Sequence, residues 1–403
     1  MKVLVNCYAC SPYQGSEPGM GWNFVKCISH MHELHIITES KFRSDLDRYF
    51  SEHIEEKSFF KFYFIQKSRH KRLRKIWPPS YYWFYKAWQK KAYKLAAKLD
   101  EKENFDLIHQ LNMVGYREPG YLWKICKPFV WGPIGGYGIT PWTMLPSMGL
   151  KGCIYYFSRN IINVIQMYSL RRVRKAIKKA NSLIAATQSQ SEYISRIYGR
   201  SSVIIPEVGL ETTQLILCYK RKVGEPLRIC WNGQHTPGKA LNLLLDALKM
   251  NSSMDVELHV IGRGEKTECW KRKAKKINKK VVWYGQTEKQ EAHKIMQSCH
   301  IMCITSLKDL TSTVLLEALS FGLPVIALDH CGFSNVITEE CGRKIIISNK
   351  KQVVLDLGNA IDEIARNEDL RKRLSEGARK RALEYNWENK AKIISQIYES
   401  VSI

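Results

Sequence analysis

The chain has 403 residues, with 63 Lys and Arg against 38 Asp and Glu, a formal net charge of +25. Hydrophobic residues at 45% and aromatics at 11% are enough for packed cores, which excludes a disordered basic protein, and the length is that of two domains rather than one. The charge leaves three classes of partner: nucleic acid, an anionic membrane surface, or a phosphorylated substrate.

At the start, Met1 to Asn6 turns polar too soon for a signal peptide and reads as a first strand. No run approaches the roughly 20 apolar residues of a membrane span, and the best candidate, Cys153 to Leu170, is interrupted by Arg159, Asn160, Asn163 and Gln166. The chain is therefore expected in the cytoplasm. Twelve cysteines in such a chain imply reduced thiols. Cys7 and Cys10 form a C-x-x-C, but no second close pair completes a zinc site, so they read as small hydrophobes at a strand end.

Apolar runs of strand length then alternate with helical segments. They are Val3–Val5, His35–Thr38, Phe62–Ile65, Leu107–His109, Phe129–Trp131, Leu183–Ala185 and Val203–Ile205. Near-continuous apolar strands separated by helices predict a parallel sheet covered on both faces. Asp45-Leu46-Asp47 has the spacing of a metal-dependent sugar-transferase motif, but in a polar helical segment it reads as surface. Between Gln66 and Leu99 lie eleven Lys or Arg and no acid, interleaved with Trp77, Tyr81, Tyr82, Trp83, Phe84, Tyr85, Trp88 and Tyr93. Aromatics beside cations suit a membrane interface, so this stretch is expected to dock on an anionic leaflet. A second acid-free stretch runs from Pro119 to Ser191.

The rhythm breaks at Pro206, and a polar stretch follows to Pro226. The predicted division is a first domain over 1–206, a linker over 207–226, a second domain over 227–385 and a helix over 386–403. The second series of strands is Leu227–Trp231, Val256–Ile261, Val281–Tyr284, Ile301–Ile304, Pro324–Ala327 and Lys344–Ile347. Two doubly wound α/β domains in tandem put strand ends, and hence a ligand, at a central cleft.

The most specific stretch is Thr305 to Ile337. A strand runs into a polar loop, and Thr311-Ser312-Thr313 opens a helix whose unpaired N–H groups and small hydroxyls suit a phosphate. Glu317, one turn further on, can accept two hydrogen bonds from a ribose diol. In Trp231 to Lys239 a strand ends in a Gly-containing loop before an apolar helix. After the first strand comes a Gly-rich turn, Ser11 to Gly19, able to bring backbone N–H groups to a phosphate or sugar. Gly262-Arg263-Gly264-Glu265 lacks the full G-x-G-x-x-G of a dinucleotide site.

Together these stretches resemble glycosyltransferase family 4, the group 1 glycosyltransferases of the GT-B fold, along nearly the whole chain. The family's signature is two acids with seven residues between them, then a small-residue turn and Pro-Val-Ile. Here the second acid is Glu317 and the first is Asp309, where Glu is usual. The family has Gly-Arg in the earlier loop with Lys five residues on; this chain has Gly233-Gln234 and Lys239. The Arg is missing, and Arg263 is the candidate replacement cation. Asp106-Leu107-Ile108-His109 matches the family's Asp-x-x-His, and Trp131 to Gly136 resembles a turn that lines the cleft in some members. By the same resemblance the helix over 386–403 returns to the first domain.

The resemblance implies a retaining, metal-independent transferase of a sugar from a nucleotide diphosphate to an acceptor hydroxyl. It implies Lys239 and Thr311 to Thr313 at the diphosphate, Glu317 at the ribose, His109 and Asp309 at the sugar, and Gly15 and Ser16 near the reacting centre. No cofactor is expected beyond the nucleotide-sugar donor, which is substrate. The expected partners are that donor, a lipid-linked glycan acceptor and an anionic membrane surface, placing the chain peripherally at the inner face of the membrane in polysaccharide or lipopolysaccharide synthesis. A sugar-nucleotide epimerase on the same fold is the enzymatic alternative. A nucleic-acid binder is the other, disfavoured because no RNA-binding module accompanies the charge.

Overall fold

The first apolar run forms strand β1 (Lys2–Cys7), buried from Val3 on and paired in parallel with β2 (Glu33–Glu39) and β4 (Leu107–Asn112). A computed structural model describes residues 1–68, 76, 80–211, 221–250 and 255–402. The chain divides into two units: Met1–Tyr137, Gln166–Glu207 and Trp387–Ile403 in one, Gly138–Ile165 and Val208–Asn386 in the other.

In chain order the first part continues with α1 (Ser16–Ile28), α2 (Arg43–Glu52), β3 (Phe60–Ile65), α3 (Ser80–Glu103), β5 (Phe129–Ile134), α4 (Gly149–Ser169), α5 (Arg171–Lys179), β6 (Ser182–Ala185), α6 (Gln188–Tyr198) and β7 (Val203–Ile204). Its parallel sheet has the order β3-β2-β1-β4-β5-β6-β7, so the direction of winding reverses between β1 and β4. Open α/β sheets bind ligands at such a switch point, beyond the carboxyl ends of the strands. Trp131 to Ile134, expected as a cleft-lining turn, is instead the buried end of β5.

The basic, aromatic stretch sorts itself by helical period. On α3, Tyr85, Trp88, Ala92 and Ala96 recur at three and four residues and are buried, while Lys86, Lys90, Lys91, Lys94 and Lys98 are exposed. The Trp88 indole donates to the Ile65 carbonyl at 2.9 Å. Lys67 is also buried, with its ammonium 3.6 Å from the Tyr81 ring centre. Tyr82 and Trp83 alone among the large hydrophobic residues of this helix are well exposed. Tyr85 and Trp88 therefore build core, Tyr81, Phe84 and Tyr93 are half-buried, and the cations form a solvated face. Arg69, Lys71, Arg72, Arg74, Lys75 and Trp77 lie outside the described residues.

The second unit contains β8 (Leu227–Asn232), α7 (Leu241–Met250), β9 (Val256–Ile261), α8 (Thr267–Ala274), β10 (Lys280–Gly285), α9 (Lys289–Gln297), β11 (Ile301–Ile304), α10 (Thr313–Ser320), β12 (Val325–Leu328), α11 (Phe333–Val336), β13 (Gly342–Ile345), α12 (Lys350–Arg366) and α13 (Glu368–Leu383). Its sheet order, β10-β9-β8-β11-β12-β13, places a second switch point between β8 and β11. Leu241, Leu244, Leu245 and Leu248 on α7 are fully buried against one face of this sheet. A boundary at 206 misplaces residues 138–165. Met144, Leu145, Met148 and Tyr156 are buried in the second unit's core beside the α7 leucines, which is why this stretch leaves its sequence neighbours. The expected linker is tied down where it is described, with Leu210 N–H bonded to the Tyr385 carbonyl at 3.0 Å and Arg221 to the Ala365 carbonyl at 2.7 Å. Residues 212–220 lie outside the described residues.

The closing helix α14 (Trp387–Val401) belongs to the first unit. Its Trp387, Ile394, Ile397 and Tyr398 are buried in the same cluster as Phe24, Val25 and Ile28 of α1.

Candidate active site

In the second unit the loops after β8 and β11, which flank the switch point, carry the residues that the sequence singles out. Residues 237–239 make a single 3-10 turn, and Ala240 beyond it sits at φ +48. The Trp231 indole donates to the Thr305 hydroxyl at 3.0 Å, and that hydroxyl donates to the Lys239 carbonyl at 2.8 Å. This chain of donors fixes the Lys239 backbone, and its ammonium forms an ion pair with the Asp309 carboxylate. Asp309 also accepts from the Leu310 N–H at 3.1 Å and donates its own N–H toward Cys331 Sγ at 3.3 Å. The two charged residues, seventy positions apart, are thus held together beside the start of α10.

That helix starts under strain. Ser312 precedes it at φ +72, a conformation that non-glycine residues avoid, and caps it with no side-chain hydrogen bond. Thr311 is buried and Thr313 exposed. An N-terminus of this kind presents backbone N–H groups and the positive end of the helix dipole.

Glu317 lies one turn into α10 and is mostly buried. His293 Nε2 stands 3.2 Å and Lys289 Nζ 3.5 Å from its carboxylate. Burial pushes the Glu317 carboxyl up, but the interactions with His293 and Lys289 outweigh it and hold it below its ordinary value. The sequence argument did not find them. Both lie on α9, four residues apart on one face, a spacing that was readable, but without a motif nothing aimed that face at Glu317.

Gly233, Gln234 and Arg263 come together through their backbones. The Gly233 N–H bonds to the Ile261 carbonyl at 3.2 Å and the His235 N–H to the Arg263 carbonyl at 3.1 Å. A Cβ on Gly262, at φ +116, would lie 2.0 Å from the Gly233 carbonyl oxygen, so only glycine fits between these loops. Both the Gln234 and Arg263 side chains are exposed.

In the first unit the Gly-rich loop is anchored by a residue read as plain surface. Asp45 on α2 accepts from the Ser11 hydroxyl at 2.5 Å and from the Gln14 amide at 2.7 Å. Gly15 and Ser16 are exposed, and Ser16 starts α1 at φ +59. Glu17, also unpredicted, accepts the Val114 N–H at 3.0 Å, and burial raises its carboxyl pKa. Asp45→Ala removes both side-chain anchors of the loop. The expected result is amide exchange at least tenfold faster across residues 13–16, with a loss of about 1–2 kcal/mol in stability, read by exchange and urea unfolding.

His109 is not open to a ligand in this structure. It is fully buried, with Nε2 donating to the Gly132 carbonyl at 2.8 Å and Nδ1 paired with the Tyr398 hydroxyl at 2.6 Å. This is a satisfied core histidine, and it enters no step below. Burial pushes its pKa down to about 4 from an ordinary 6.5. Above pH 6.5 both folded and unfolded rings are neutral; as pH falls the unfolded chain takes the proton first, so stability declines until the folded ring also titrates near pH 4. Urea unfolding across that window is expected to show a loss of up to about 3 kcal/mol from this ring, and His109→Gln flattens the slope.

A cavity of about 640 Å³ in the first unit, lined by Glu39, Lys41, Gln66, Lys67 and Lys91 among others, includes none of the predicted residues. Among the described residues no cluster of three His, Cys, Asp or Glu is placed to hold a metal, and no helix is long and apolar enough to cross a membrane. Cys7 and Cys10 are buried and unbridged.

Residues 220–381 match the family described as glycosyl transferases group 1. A phosphatidyl-myo-inositol mannosyltransferase of Mycobacterium leprae is 28% identical over 170 residues, 41% of this chain and 44% of that protein. An uncharacterized glycosyltransferase of Methanocaldococcus jannaschii is 25% identical over 171 residues, 42% of this chain and 47% of its own length. The matches thus span less than half the length of these curated relatives. Solved structures share the fold along the whole chain. Sucrose-phosphate synthase from Thermosynechococcus elongatus superposes with a TM-score of 0.67 at 15% identity, covering 99% of this chain and 98% of that one. The lipopolysaccharide outer core galactosyltransferase WaaB gives 0.65 at 16% identity over 98% and 100%. Anabaena HepE in complex with UDP-glucose gives 0.62 at 15% identity over 99% and 100%. The two Rossmann-like units are those of the GT-B fold, and residues 220–381 are similar to the group 1 glycosyl transferases.

Proposed function

We propose that the protein transfers a sugar from a nucleotide-diphosphate donor to a hydroxyl of a lipid-linked glycan acceptor, with retention and without a bound metal, in the synthesis of a cell-surface polysaccharide or lipopolysaccharide. What supports this reading is the Lys239–Asp309 ion pair four residues before the strained start of α10, with a buried, paired Glu317 one turn into that helix, inside the stretch that matches the family. The lipid-linked acceptor draws on the relative named for a phosphatidyl-inositol substrate, and the pathway on the lipopolysaccharide galactosyltransferase.

In this reading the bond between the sugar's anomeric carbon and the diphosphate oxygen breaks, and negative charge grows on the departing diphosphate. Lys239 and the N–H groups opening α10, with the Thr313 hydroxyl, receive that charge. The incoming diphosphate takes over from Asp309 as partner of the Lys239 ammonium, which frees the carboxylate for the sugar's hydroxyls. Glu317 accepts from the ribose hydroxyls and so fixes the nucleoside. The acceptor oxygen adds to the anomeric carbon on the face from which diphosphate leaves, and its proton passes to the leaving oxygen. Gly15 and Ser16 would lie near this centre.

The test is a thermal-shift screen of uridine, guanosine and adenosine diphosphate sugars, followed by incubation of the best donor with and without a lipid-linked acceptor. Transfer that requires the acceptor supports the reading. Conversion of the donor alone to an epimer overturns it in favour of the enzymatic alternative.

A further inference from the structure

The donor chemistry leaves one exposed face of α4 unexplained. Leu150, Ile154, Phe157, Ile161 and Ile165 follow one another at four, three, four and four residues, which stacks them in one stripe along the helix. They are 79%, 59%, 48%, 41% and 59% exposed, and Trp142, itself exposed, packs edge-on against Phe157 at 5.5 Å. The opposite face of the same helix, Gly152, Tyr156, Asn160 and Asn163, is buried. A helix packed on one face that carries a continuous apolar stripe on the other belongs against something else apolar. The stripe is about 22 Å long by helix rise, too short to span a bilayer and suited to lying in its surface.

We propose that this outward face of α4 docks on an anionic phospholipid bilayer. Charge selects that occupant. Lys151 and Arg159 are the only charged residues of α4, both are cationic and exposed, and no acid occurs from Pro119 to Ser191. A second copy of this chain would meet the same cations across a symmetric contact, whereas an anionic leaflet satisfies the stripe together with Lys151 at its border, and Arg159 further round the helix adds to the positive field. The aromatic stretch of α3 offers less apolar surface, since Tyr85 and Trp88 are buried and only Tyr82 and Trp83 are well exposed on that helix. The inference deepens the lipid-acceptor reading and is independent of the donor assignment.

The inner face of α4 leads to the donor loops. A Cβ on Gly238 would lie 2.4 Å from the Tyr156 hydroxyl, so the helix rests on the residue next to Lys239. Asn160 holds the backbone of Thr140 at both N–H and carbonyl, and the Gly138 carbonyl receives the ammonium of Lys308, next to Asp309. A helix seated on a bilayer would therefore hold both donor loops from behind.

The purified chain is sedimented with phosphatidylcholine vesicles and with vesicles that also contain phosphatidylglycerol, at low and high salt. Capture by the phosphatidylglycerol vesicles at low salt is expected. Joint Ile154→Asp and Ile161→Asp substitution lowers the partition at least tenfold while unfolding temperature and nucleoside diphosphate binding stay as in the parent. Joint Lys151→Glu and Arg159→Glu substitution abolishes the preference for phosphatidylglycerol. The proposal fails if the parent stays in solution, if the Asp variant pellets like the parent, or if ultracentrifugation shows a dimer that the Asp variant dissociates with no vesicle capture. Vesicle capture without sugar transfer would leave docking standing and remove the proposed function; transfer without capture would do the reverse.

Discussion

Lys239→Ala is expected to lower kcat/KM for the donor by a hundredfold or more while the protein stays folded. The ammonium is the best-placed cation beside the start of α10, since the side chains of Gln234 and Arg263 are exposed and tied to the site only through their backbones. Removing one preorganised donor to a developing anion costs about 2.7–4 kcal/mol, which corresponds to the stated loss. A second cost follows from the ion pair with Asp309, whose carboxylate would be left facing the incoming diphosphate. Like charges at that range disfavour binding as well as chemistry. The Lys239→Ala, Asp309→Ala double variant should therefore lose less than the two single losses combined. Steady-state kinetics on the four proteins gives the coupling directly, and additive losses would show that the pair does not act as a unit. Lys239→Arg keeps the charge but not the compact shape, and recovery should be partial.

The second unit's strands were legible because a buried parallel strand is a short apolar run, and such runs at Val256–Ile261 and Ile301–Ile304 admit little else. Lys239 and Glu317 are singled out by their register, one in the loop after β8 and one in the helix that follows β11. What register cannot supply is contact. The pairing of Lys239 with Asp309 depends on how two loops turn, and the strain at Ala240 and Ser312 that turns them leaves no mark in residue type. The core face of α3 is legible in its helical period. Tyr81, Tyr85, Trp88, Ala92 and Ala96 repeat with helical period, so one face was bound to be core, and counting aromatics beside cations ignored which face each occupied. The assignment of 138–165 was harder. The sequence shows helical apolar positions in α4 on both sides, but says nothing of which partner covers either one.

Glu317→Ala is the other large effect expected. Its KM for the donor should rise at least tenfold with a smaller change in kcat, because a contact to the ribose is made equally before and during the bond-breaking step. The carboxylate is well prepared for that contact. It is mostly buried, and His293 and Lys289 keep it ionised against the cost of burial. Because its folded pKa is lowered, its stabilising pair is complete above the ordinary carboxylate range and is lost as pH falls through the folded value. Donor affinity should therefore hold through neutral pH and weaken only in acid. Glu317→Gln keeps the shape and one accepting oxygen, so its KM should lie between those of the parent and the alanine variant and lose the acid-side weakening. If instead kcat falls and KM is unchanged in both variants, Glu317 belongs to the reacting sugar and not to the ribose, and the donor lies in the opposite order along α10.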